Sequence, residues 1–165
     1  MSTLMQCNES PSISSFSENG FGPDFLQLKK HFEKTIKELR KSETLGRQDE
    51  ILQSIDEVFK ECSYEGWDGY DASPITRASY VETIKFIKSL PLAPLIQTPE
   101  ITPEPSGEIA LEWARGSRQI FVASFTGKNE IIYAGLFGTN KIHGTEYFGD
   151  FLPSAIIENI ERIYS

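Results

Sequence analysis

With 165 residues, 39% hydrophobic and 24% charged, the chain can bury a real core in one domain and has an ordinary globular composition. A formal net charge of −8 argues against a dedicated phosphate-backbone binder, which needs clustered Lys and Arg. The longest apolar run, Ile131 to Phe137 with its glycine, is about seven residues, against the ~20 that span a bilayer.

Residues 1–22 are rich in Ser and Asn, carry Phe16 and Phe21 as isolated aromatics, and show no periodicity, so a disordered tail is expected there. Met1 to Cys7 has neither a basic n-region nor an apolar h-region, which argues against secretion. Cys7 and Cys62 are too few and too far apart for a disulfide framework, and a cytoplasmic location is expected. Gly22-Pro23-Asp24 then reads as a helix start. Phe25, Leu28, Phe32, Ile36 and Leu39 follow at helical steps. From Asp24 to Lys41 six basic residues stand against three acids, a local +3, whereas Thr98 to Ser165 carries −4. Gly46 interrupts, and Ile51, Leu52, Ile55, Val58, Phe59 and Cys62 make a second stripe. Two helices paired as an antiparallel hairpin are therefore expected over residues 23–63.

After a short loop, Ser73 or Thr76 can cap a further helix whose apolar side is Tyr80, Val81, Ile84, Ile87 and Leu90. Pro91, Pro94 and Pro99 end it. The pattern then changes to period two, with Ile109, Leu111 and Trp113 alternating with polar residues. Turn signals at Arg115–Arg118, Gly127–Asn129 and Gly138–Lys141 separate the strand segments. Pro153 opens a last helix. The expected fold class is α+β: N-terminal helices, a four- to five-stranded antiparallel meander over residues 98–148, and a C-terminal helix packed on the sheet. Residues 64–165 form the α+β domain, which can extend over 23–165 as one.

The densest chemistry lies in Tyr64-Glu65-Gly66-Trp67-Asp68-Gly69-Tyr70-Asp71-Ala72. Trp and Tyr combine large apolar area with a polar tip and dominate binding hot spots. Trp67, Asp68, Tyr70, Asp71 and Glu65 are thus the candidate binding residues. The competing reading is structural: the aromatics plug the core, and Asp68 and Asp71 bond backbone amides in Asx-turns. The carboxylates lack the order of an EF-hand, so no metal site is assigned. No cofactor motif, phosphate loop or seryl-nucleophile motif occurs.

Gly66-Trp67-Asp68-Gly69-Tyr70-Asp71-Ala72, with Gly107–Trp113, Tyr133–Phe137 and His143-Gly144-Thr145, resembles a recurring type of small uncharacterised bacterial protein bearing a W-D-G-Y-G-A-like element. The resemblance covers residues 64–164. It implies a shared fold and a bacterial or phage-related origin, and transfers no functional residue. Asp71 stands where that element often has its second glycine.

Three functions follow as expectations. The first is a non-catalytic module that binds another protein, of antitoxin, immunity or phage-defence-accessory character. The second is a small hydrolase or nuclease using His143 with Glu146, or the carboxylates near Trp67. The third is an RNA-binding protein stacking bases on Phe121, Phe125 and Tyr133, which the acidity opposes. No membrane partner is expected, and the oligomeric state is not legible.

Overall fold

The computed structural model describes residues 23–91 and 96–165, and the expected tail over 1–22 lies outside the described residues. In chain order the elements are α1 (Pro23–Glu61), α2 (Arg77–Ser89), β1 (Glu100–Pro103), β2 (Ile109–Ala114), β3 (Gln119–Phe125), β4 (Glu130–Phe137), β5 (Asn140–Tyr147) and α3 (Ser154–Tyr164). The α+β class and the antiparallel meander expected from the sequence are both present. Strand order in the sheet is β1-β2-β3-β4-β5, every neighbour antiparallel.

One expectation is corrected. The residues assigned to a helical hairpin form one helix of 39 residues that runs through Gly46. A glycine inside a helix costs only about 1 kcal/mol relative to alanine. No proline or other stop signal accompanies this one, so the helix continues.

The chain divides into two compact units, the first ending at Glu38 and the second comprising Leu39–Ser165. In the first unit, every described side chain from Leu26 to Glu38 is exposed. Thr35 Oγ donates to the His31 carbonyl at 3.0 Å, and Lys34 lies 3.9 Å from Glu38. Both are surface interactions of small energetic weight.

The second unit owes its core to alternation. Ile109, Leu111, Trp113, Phe121, Ala123, Phe125 and Ile131 all lie on one face of the sheet and are fully buried. Helices α2 and α3 cover that face. Phe86 of α2 is the keystone, with ring centroids 4.9 Å from Phe125, 5.8 Å from Phe148 and 6.4 Å from Trp113. Ile156, Ile160 and Ile163 of α3 are buried at helical spacing. The later turns of α1 pack against α2: Ile51 and Ile55 are buried, Phe59 stacks on Tyr80 at 4.4 Å, and Gln48 Nε2 donates to the Ile87 carbonyl at 2.8 Å. Thr76 caps α2, its hydroxyl accepting from the Ser79 amide at 3.1 Å.

The other face of the sheet is not dry core. Ile132 is 46% exposed, and Ile120, Val122 and Leu136 are half-buried. An antiparallel sheet can present such a face to water.

Candidate functional site: the Trp67 loop

The loop between α1 and α2 is held by bonds that its own sequence supplies. The Gly66 amide donates to the Ala72 carbonyl at 2.8 Å, and the Gly69 amide donates to the Gly66 carbonyl at 2.9 Å. Asp68 Oδ1 accepts from the Tyr70 amide at 2.8 Å and from the Ala72 amide at 3.3 Å. This is the Asx arrangement expected of an aspartate in a tight turn. Gly66 sits at φ 71°, and a Cβ there would come within 3.0 Å of the Tyr70 carbonyl oxygen. Only glycine takes that backbone conformation without strain.

Trp67 closes the loop from within. Its indole Nε1 donates to the Ser73 carbonyl at 2.9 Å, and its half-buried ring packs against the core. The loop is then tied to the rest of the unit at its exit. The Ser73 amide donates to Pro105 and the Ile75 amide to Cys62, each at 2.9 Å, while Ala72 is buried. Burial pushes the Cys62 thiol above its usual range, with the Glu61 charge adding to the effect. Such a thiol is a packing residue and a poor nucleophile.

The remaining candidates point outward. Tyr70 is 84% exposed, and Glu65 and Asp71 are exposed beside it. Glu65, Gly66, Tyr70, Asp71, Ala72 and Ser73 line an open hollow of about 340 Å³. Tyr64, 58% exposed, adds a second tyrosine just before the loop. The five candidates therefore separate: Trp67 and Asp68 hold the loop, whereas Tyr70, Asp71 and Glu65 are displayed by it. Asp71 is not among the residues with positive φ, so this position does not require glycine's left-handed backbone.

The residues expected to serve other chemistries are distributed differently. His143 and Glu146 are three apart on β5. His143 pairs opposite Ala134 and Glu146 opposite Ile131, which places them on opposite faces of the sheet. His143 is exposed beside Ile120, Val122, Leu136 and Lys141, around a shallow hollow of about 380 Å³. Phe121 and Phe125 are fully buried beneath the helices, and Tyr133 is half-buried on the same face, so these rings are core. Among the described residues no group of three or more His, Cys, Asp or Glu side chains could hold a metal ion.

Glu82 is a buried residue that sequence reasoning passed over. Its Oε2 accepts from the Gly127 amide at 2.6 Å, so a carboxylate on α2 holds the β3–β4 turn. Burial pushes its carboxyl above the usual range. The Gly127 and Asn129 amides and Lys85 pull it down, and Glu130 raises it further. Gly127 is 45 positions away along the chain, so no local pattern could have announced the contact.

Comparison of the chain with family models, curated proteins and solved structures finds no match. Among the described residues no helix is long and apolar enough to cross a membrane.

Proposed function

We propose that this chain acts by binding another protein, without catalysis, and that Tyr70 is the anchor. The observation that carries the reading is a tyrosine 84% exposed on a backbone locked by its own hydrogen bonds. Exposed tyrosine on a mobile loop must be ordered when it binds, which weakens association. Here the ordering is supplied in advance by Asp68, Gly66 and Trp67. Glu65 and Asp71 flank the ring with negative charge. The complementary partner surface is a pocket for one aromatic ring, rimmed by Arg or Lys. An antitoxin-, immunity- or phage-defence-accessory role suits such a module and is part of the same proposal, supported by the bacterial resemblance alone.

The test is site-specific photocrosslinking in cells of the native host. A photoreactive residue replaces Tyr70 in one variant and Ser117, exposed in the β2–β3 turn, in another. A discrete product from position 70 and none from position 117 is expected. Equal products from both, or none from position 70, would remove the loop from the proposal.

A further inference from the structure

The face of the sheet turned away from α2 and α3 carries its residues in rows that the strand register sets. One row reads Glu100, Glu112, Val122, Ala134 and His143 from β1 to β5, and the next brings Ala114, Ile120, Leu136 and Lys141 together. Across the sheet the face therefore passes from an acidic flank on β1 and β2, through an apolar middle on β3 and β4, to a basic flank on β5. Ile132, 46% exposed, and Ala134, also exposed, belong to that middle. A shallow hollow of about 380 Å³ is lined by its apolar residues together with Lys141 and His143. Among the described residues, none of Glu100, Glu112, Lys141 and His143 takes part in an ion pair. We infer that this face is an interface with a second copy of this chain.

Charge and area select a second copy as the occupant. A two-fold axis along β3, the middle strand of the five, lays each flank on the opposite flank of the other copy. Glu100 then stands over His143 of the second copy with Glu112 beside it, while Val122 and Ile120 meet their own counterparts at the axis. The face carries its own complement, as an isologous interface requires. A uniformly acidic or basic partner would match one flank and oppose the other. Strands of four to eight residues, at ~3.4 Å per residue and ~4.8 Å between strands, give the face roughly 540 Å² in projection. Two copies cover roughly 1,100 Å², above the ~1,000 Å² at which specific interfaces begin. Glu104, Glu108 and Glu130 at one end and Arg118 at the other lie at or beyond the strand ends, where two twisted sheets packed face to face diverge. The whole face belongs to the second compact unit. It is distinct from the Trp67 loop, so its failure leaves the proposed function standing, and the converse holds.

Sedimentation equilibrium of the full chain over a thousandfold range of concentration tests this. The expected result is a mass rising from one copy to two. Val122→Glu, at the axis, should move the midpoint at least tenfold towards higher concentration. Glu100→Lys should move it at least threefold, and adding His143→Glu should return it to within twofold of the parent. A denaturant melt establishes that each variant folds. Should Val122→Glu not fold, Val122→Cys in a Cys7→Ser background replaces it: a short thiol crosslinker is expected to join two copies through position 122, and none through Glu112→Cys, which lies off the axis. A single-copy mass at every concentration would overturn the inference. So would a dimer indifferent to Val122→Glu, one that His143→Glu fails to restore, or one linked equally through position 112. Should the parent stay single and Phe16→Glu with Phe21→Glu then produce the dimer, the face would belong to residues 1–22 instead.

Discussion

The Trp67 loop and the first turns of α1 both expose large apolar side chains, for opposite reasons. In the loop, Tyr70 stands outside while Trp67, donating to the Ser73 carbonyl, and Asp68, accepting from the Tyr70 and Ala72 amides, hold the backbone. The exposure is the product of local order. In α1, Leu28 and Phe32 are exposed on a regular helix, and among the described side chains from Leu26 to Leu39 none is buried. Exposure alone is therefore a poor guide to function. What matters is whether the surrounding bonds fix the side chain where it stands. The loop passes that criterion, and the first turns of α1, all exposed, do not.

The comparison breaks most easily at Trp67. Trp67→Ala removes a half-buried ring and its bond to the Ser73 carbonyl, and should lower unfolding stability by about 2–4 kcal/mol in a denaturant melt. A change within the noise of the melt would mean that the loop is not locked by its tryptophan. Gly66→Ala should cost about 1–2 kcal/mol, because it forces a side chain into the positive-φ region against the Tyr70 carbonyl. Phe32→Ala, by contrast, should shift the melt by less than about 0.5 kcal/mol, since the residue is 64% exposed.

Glu82 sharpens the comparison through pH, as a second carboxylate that holds a turn. Its carboxyl titrates above the usual range in the folded protein because burial disfavours the charge. Below its unfolded pKa the group is protonated in both states and carries no penalty. As pH rises through the raised folded value, the folded state bears the cost of the buried charge, so its contribution to stability falls. Glu108, raised by burial and by Glu104 beside it, acts with the same sign. Thermal melts of Glu82→Gln from pH 4 upward should therefore show a smaller decline across this window than the parent chain. An identical decline would show that Glu82 does not carry it.

Much of this architecture was legible in the sequence. The change from helical to alternating spacing after Pro99 located the sheet, and Pro153 the start of α3, while of the two caps the sequence offered for α2, Ser73 and Thr76, the structure uses Thr76. Gly46 misled, because a glycine that would end a short helix is tolerated in one whose later turns are anchored by Ile51 and Ile55. In the loop, composition singled out the five residues but could not divide them. The loop that turns Trp67 inward and Tyr70 outward is closed by the Gly66 amide bonding the Ala72 carbonyl, a contact that composition does not encode. Glu82 was hidden for the same kind of reason, as its partner is distant in sequence. Likewise, three-residue spacing suggested that His143 and Glu146 lie near one another, and only their assignment to one strand sends them to opposite faces.

Tyr70→Ala tests the central claim most directly, measured for partner affinity and for unfolding stability on the same preparation. An exposed anchor should lose at least ~30-fold in affinity, about 2 kcal/mol, while the denaturant midpoint stays within about 0.5 kcal/mol of the parent. An unchanged affinity would contradict the account, and a loss matched by equal destabilisation would show that Tyr70 serves the fold instead of the partner.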